Sequence, residues 1–338
     1  MNNLLNGFCA HGPIKMRAVA MIVTGLSWGW AVGDAAADDE GSASRPLITC
    51  MTVTADAGTL LDASQLGVRV RDSKTLLVRR TISSPCRMTN AVCLSADETR
   101  LVAAGGNPGE YAWVAVYSWP DCRLLWQKTF ADDFAYAVSL APTSGCLALG
   151  LHDQSIVLLD LTDGRLRHTL RGHSRPVTAV CFIDDQTLVS GSVDQSLIVW
   201  DCVRGTSVRS LTNHTQPVTC ITLRPMRQGQ LPMIATASED RTVRFWQPTI
   251  GRLVRFHRLS SPVTSLAWDG DGTHVVAGSW DGRVRTIQVD TLETLETCCH
   301  PEEWITYVTT APDGSFTLVA NAAGKLHVLP GRPTADVQ

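Results

Sequence analysis

Short apolar runs rich in Val, Ile, Leu and Thr follow one another through residues 45–330, each broken by a polar or glycine-bearing turn. No segment of useful length there repeats apolar residues at the helical spacing of three and four, and β-branched and aliphatic residues dominate, so the pattern predicts strands throughout. Seven runs share one form: Ile48-Thr49-Cys50-Met51, Thr89-Asn90-Ala91-Val92, Ala135-Tyr136-Ala137-Val138, Val177-Thr178-Ala179-Val180, Val218-Thr219-Cys220-Ile221, Val263-Thr264-Ser265-Leu266 and Ile305-Thr306-Tyr307-Val308. They start about 41 to 46 residues apart. Turns such as Asp271-Gly272 and Asp313-Gly314 follow, where glycine accepts positive φ at little steric cost. Second strands are then recognisable in Thr187-Leu188-Val189, Thr273-His274-Val275-Val276 and Phe316-Thr317-Leu318-Val319.

A sandwich repeats its turn signals but need not repeat one four-strand sentence seven times. The period predicts an all-β fold, a seven-bladed β-propeller of four-stranded antiparallel blades over residues 45–330. A lone blade leaves both faces wet, so stability comes from packing blade on blade, at roughly 25 cal/mol per Å² of apolar surface buried. Two extra stretches, 107–113 and 226–232, are expected as surface loops. Closure is the weak joint: residues 37–41 are acidic and 333–338 are short, so the last blade is expected either to stay incomplete or to take the acidic segment despite its poor strand propensity.

Residues 172–201 open on Gly-His and close on Trp-Asp around three apolar runs. The stretch resembles a WD repeat, and weaker versions recur along the chain. The resemblance implies a hydrogen-bonded chain inside each full blade: His173, Ser190, Asp194 and Trp200 in the fourth, and His214, Thr236, Asp240 and Trp246 in the fifth. A His, Ser and Asp together also suggest nucleophilic catalysis, but the set occurs twice with the same order, which points to scaffolding. The third blade keeps Asp153 and Asp160 with Leu159 in place of Trp, and the sixth keeps Asp281 with Ile287. The first, second and seventh lack the set, and aliphatic packing is expected to substitute there. The resemblance further implies a non-catalytic platform for a protein or peptide partner, on the face that carries the turns between second and third strands. Residues preceding the turn Asp belong there: His152, Val193, Glu239 and Trp280. With Trp304, which precedes the seventh first strand, Trp280 is expected to form an aromatic patch rimmed by Arg241, Arg283, Glu302 and Glu303. The alternative is that either indole plugs a gap between blades.

The net charge of -3 offers no basic field for nucleic acid or an anionic membrane. Lys15 and Arg17 precede an apolar run over 18–33, and Ala35-Ala36-Ala37 then meets Asp38-Asp39-Glu40. Residues 1–37 thus read as a signal peptide, with an uncleaved membrane anchor or a cytoplasmic leader as alternatives, 38–44 as a linker and 331–338 as a tail. Translation from Met16 would shorten the charged part. Export to the periplasm or exterior follows from this reading. Of the eleven cysteines, cleavage of the leader would remove Cys9, and the even number left invites a disulfide framework, yet Cys50, Cys93, Cys181 and Cys220 sit singly in apolar runs, as buried free thiols do. No Cys or His spacing suggests zinc, Cys298-Cys299 point to opposite faces, and Asp269-Gly270-Asp271-Gly272 reads as a turn rather than a calcium loop. No metal or cofactor is expected. A lactonase-like or quinoprotein-like enzyme would have to use Asp62, His152 and Glu239, which form no motif; a structural module of a larger assembly is the third reading.

Overall fold

The computed structural model describes residues 45–131, 133–225, 229–299 and 303–331, leaving out the side chains of 296–299. The expected leader and linker, most of the tail, Glu302, residues 226–228 and the Cys298 and Cys299 side chains lie outside this description. Every regular element among the described residues is a strand. The 27 strands form seven antiparallel sheets in chain order, spanning 48–82, 88–131, 135–171, 177–211, 218–258, 263–299 and 305–330. Six have four strands and the last has three.

Burial is deepest on the second and third strands of a blade and falls away on the outermost one. In blade three Cys146–Leu151 is buried along its whole length and Ser155–Asp160 almost so, whereas the outer strand Leu166–Arg171 is largely exposed. Each first strand packs on the first strand of the next blade, and Ile305–Thr310 meets Ile48–Val53 to close the ring. That closing joint is apolar: Ile48, Met51 and Leu60 pack on Ala311, Phe316, Leu318 and Ala320. Second strands allow close approach through glycine. A Cβ on Gly191 would stand 2.6 Å from Val218 of the next blade, and one on Gly278 2.5 Å from Ile305.

The polar second residue of the first strands stitches blades together. Thr49 Oγ1 donates to Thr89 O (2.7 Å), Asn90 Nδ2 to Ala135 O (3.2 Å), Thr178 Oγ1 to Val218 O (2.5 Å), Thr219 Oγ1 to Val263 O (2.7 Å) and Thr264 Oγ1 to Ile305 O (2.8 Å). The Val-Thr pairs visible in the sequence are therefore a seam, each bond tying one blade to the carbonyl that opens the next. Thr219→Val is expected to cost about 1 kcal/mol, because it strands a carbonyl while keeping the shape; a denaturant midpoint equal to wild type would show that the seam contributes nothing.

The expected loop over 107–113 is corrected. Arg100–Asn107 and Tyr111–Ser118 are eight-residue strands that extend the blade-two hairpin. The turn closes through the Glu110 amide on Asn107 O, with Gly109 at φ 77°. Trp113 is buried, and its Nε1 donates to Gln127 Oε1. The residues on both sides of Pro108-Gly109 are apolar and small in unbroken runs, buried from Leu101 to Gly106 and from Ala112 to Tyr117, so longer strands bury more than a loop would. In the second stretch, Gly229 to Pro232 lie in turn and irregular backbone.

Candidate functional site

The chains inside blades four and five are built by strand register. Ser190 of Thr187–Ser192 stands opposite Ile198, which places Trp200 two residues along on the same face, and Thr236 and Trp246 are placed alike. Trp200 Nε1 donates to Ser190 Oγ at 2.8 Å, His173 Nε2 lies 2.7 Å from that oxygen, and His173 Nδ1 lies 2.9 Å from Asp194 Oδ2. The fifth-blade distances are 3.0, 2.8 and 2.8 Å. Counting donors fixes the direction there: Trp246 Nε1–H to Thr236 Oγ1, Thr236 O–H to His214 Nε2, His214 Nδ1–H to the Asp240 carboxylate. Burial holds the His214 imidazole below its ordinary value, against the pull of Asp240. Burial alone would raise the Asp240 and Asp194 carboxyls, but hydrogen bonds from His214 and Thr242, and from His173 and Ser196, overcome it and hold both well below the usual range. His173, Ser190, Trp200, His214, Thr236 and Trp246 are all buried, so no substrate reaches these sets.

Blade one does not substitute aliphatic packing, as expected, but a buried ion cluster. Asp62 stands opposite Arg69 and Leu60 opposite Arg71, the register that Ser190 and Trp200 occupy in blade four. Asp62 is fully buried and sits 2.6 Å from Arg69 Nη2 and 2.5 Å from Arg71 Nε. Arg71 Nη1 also donates to Leu76 O. A carboxylate thus replaces the hydroxyl and a guanidinium the indole. Blade six follows related logic: Ser260 precedes Asp281 by the interval that separates His173 from Asp194, and buried Arg285 donates to both Ser260 Oγ and Asp281 Oδ2. These arginines escaped the sequence reading, although their alternation with valine in Val68-Arg69-Val70-Arg71 marks side chains on one strand face.

The candidate binding face is positioned by one repeated backbone bond. The amides of His152, Val193, Glu239 and Trp280 donate to the carbonyls of Phe134, Pro176, Pro217 and Pro262, each just before a first strand, and Ala322 donates to Trp304 in the same way. The Trp280 and Trp304 rings, from blades six and seven, stack with centroids 5.4 Å apart and planes at 18°. Both are partly exposed. Arg241 and Arg283 are exposed beside their turns, Arg241 at φ 68° where blades six and seven carry Gly282 and Gly324. Glu303 instead accepts from Asn321 Nδ2 at 2.5 Å. His152 Nδ1 lies 3.0 Å from Tyr136 Oη, and burial pushes the Glu239 carboxyl up. Asp62, His152 and Glu239 do not converge: Asp62 is locked within blade one, the others on separate blades.

At the opposite ends of the strands, Asp269, Asp271 and His274 bring side-chain atoms within 4.8 Å of one another. The carboxylates there cap the turn, accepting from the His274 and Thr273 amides. The described cysteines are free thiols. Burial pushes Cys181 up to about 12 and Cys220 to about 11, which keeps both protonated and unreactive at neutral pH.

A ring of seven sheets with His–Asp chains inside two of them defines a repeat β-propeller. The family model "WD domain, G-beta repeat" matches residues 164–201, 205–247 and 251–286. With the sevenfold ring, these matches support the WD-repeat β-propeller family for this chain. It is 30% identical over 136 residues to the WD repeat-containing protein VIP3 of Arabidopsis thaliana, a stretch that is 37% of this chain and 42% of that protein. It is 29% identical over 195 residues to the nuclear distribution protein nudF of Aspergillus niger, 57% of this chain and 44% of that protein. The chain thus spans less than half the length of these relatives.

Proposed function

We propose that this protein is a non-catalytic scaffold that binds a protein or peptide partner on the face around Trp280 and Trp304. The stacked indoles carry the reading. Two large aromatic rings held partly in water at the mouth of a rigid ring are costly to hydrate and gain when a partner covers them. Blade backbones hold their positions, so little ordering entropy opposes binding. Trp280→Ala with Trp304→Ala is expected to weaken capture of crosslinked native partners at least tenfold without shifting the melting temperature by more than a few degrees. A folded double variant that still captures every partner removes this reading.

We further propose that the protein acts after export. Lys15 and Arg17 ahead of the apolar run, with Ala35-Ala36-Ala37 before the acidic segment, support it. N-terminal sequencing of the protein from its native cells is expected to begin at Asp38; a start at Met1 or Met16 in a soluble fraction would refute cleavage.

A further inference from the structure

In blades one, three and four the third strand ends on an aspartate: Gly67–Asp72, Ser155–Asp160 and Leu197–Asp201. Each of these carboxylates neutralises an arginine of its own rim. Asp72 pairs with Arg79, Asp160 with Arg167 at 2.7 Å and Asp201 with Arg204 at 2.7 Å. In blade five the third strand, Thr242–Gln247, ends on glutamine instead, and Gln247 stands opposite Arg252. The outer strand there, Arg252–Arg258, carries Arg252, Arg255 and Arg258, all exposed. Among the described residues none of the three pairs with a carboxylate; Arg255 donates to the backbone carbonyl of Asp290, which leaves its charge uncancelled.

The turn that leads into this strand holds a second anomaly. Thr249 Oγ1 is buried without a hydrogen-bond partner among the described residues, and so is Arg209 Nε on the outer strand of blade four. Arg209 reaches the same turn, since a Cβ on Gly251 would stand 2.8 Å from its Nη1. Apolar surface lies among these cations: Ile250 is 51% exposed and Phe256 54%. The Arg244 guanidinium sits 5.5 Å from the Phe256 ring centroid.

We propose that the outer rim of blade five, from the turn at 247–251 to Arg258, binds an acidic segment of a partner protein, whose carboxylates pair with Arg252, Arg255 and Arg258 and whose apolar side chain covers Phe256.

Strand register spreads the arginines so that such a segment meets them all. Arg255 lies opposite Phe245, which packs toward blade six, whereas Phe256 and Arg258 lie on the face of Trp246, which packs toward blade four. A segment running along the outside of the strand touches both sets. Guanidinium forks suit carboxylates, which accept two parallel bonds. Nucleic acid and anionic membrane fit less well, because both call for a broad basic field. Here the uncancelled charge is confined to one blade, with aspartate-paired arginines on the rims of blades one, three and four.

Two labelled peptides titrated onto the full-length protein test this: one alternates glutamate with leucine, the other has glutamine for every glutamate. The glutamate peptide is expected to saturate and to bind roughly tenfold tighter at low salt, an advantage that shrinks as salt is raised. Arg252→Gln with Arg255→Gln and Arg258→Gln is expected to abolish the advantage. Gln247→Asp, which gives blade five the aspartate of the other rims, is expected to cut it roughly threefold, and decides the matter alone if the triple variant fails to fold. Arg79→Gln with Arg167→Gln, at rims already paired, is expected to leave it unchanged. Equal binding of both peptides, no saturable binding, or undiminished preference in the folded variants overturns the proposal and leaves the arginines as guards against stray strand pairing. Tighter binding of oligothymidylate or of phosphatidylserine vesicles through the same arginines also overturns it, in favour of a nucleic-acid or membrane surface. The Trp280 and Trp304 double variant is expected to bind the glutamate peptide like wild type, which separates this test from that of the indole face; loss of binding there counts against the rim.

Discussion

Asp62→Ala is expected to lower the stability of the ring by about 3–5 kcal/mol, the largest effect of any single substitution considered, because it leaves two guanidiniums buried without their counter-charge. Arg69 and Arg71 side chains are only 9% and 13% exposed, and Asp62 is 0% exposed, so water cannot replace the lost carboxylate without opening the blade. The cluster itself need not be strongly stabilising, since two cations and one anion lost their hydration to form it. Replacing all three with apolar residues of similar volume is therefore expected to be far milder than removing Asp62 alone. Urea midpoints of the single and triple variants make the comparison; a single variant with a wild-type midpoint would mean the arginines find water.

Asp194→Ala is expected to cost about 1–3 kcal/mol, because the His173 and Ser174 donors lose their acceptor in a mostly buried blade. Asp240→Ala should fall at the upper end, since Asp240 is buried along with its His214 donor. An unchanged melting temperature in either variant would detach the chains from stability. The same groups set a pH response. His214 is held low, so the unfolded chain takes up that proton first, and stability begins to fall as pH drops below about 6.5. Asp194 and Asp240 are also held low; their contribution is fully present above the ordinary carboxylate value near 4 and is lost as pH falls towards their depressed folded values. Urea midpoints between pH 7 and 3 should therefore show a shallow decline and then a steep one. A flat profile from pH 7 to 5 would mean that His214 is charged in the fold.

Blades four and five were legible because their polar residues keep a fixed order along the chain, and order survives translation into register. Blade one was not, because its substitute acts through pairing across strands. Asp62 reads as a lone surface charge until Thr59–Ser64 is laid against Gly67–Asp72. The blade-two hairpin failed for a local reason: Pro108-Gly109 signals a turn, but says nothing about how far the strands run before it. The three strands that blade seven shows among the described residues match one of the two closures expected, an incomplete last blade, which rested on the acidic residues 37–41 and the short stretch 333–338. Trp280 and Trp304 could be placed on one face from the repeat alone, although their stacking depends on the angle between blades.

The family matches begin at Gly164, Gly205 and Gly251, ahead of an outer strand, and end within or at the third strand of the following blade. The unit copied in sequence and the sheet that folds are thus out of phase by one strand. Gain or loss of one copy during duplication would exchange an outer strand between neighbours and change the number of blades, leaving every interior sheet whole. Interleaving of this kind also means that no single copy, expressed alone, carries a complete sheet. A minimal autonomous fragment would have to be cut at the boundaries of the blades, not at those of the copies.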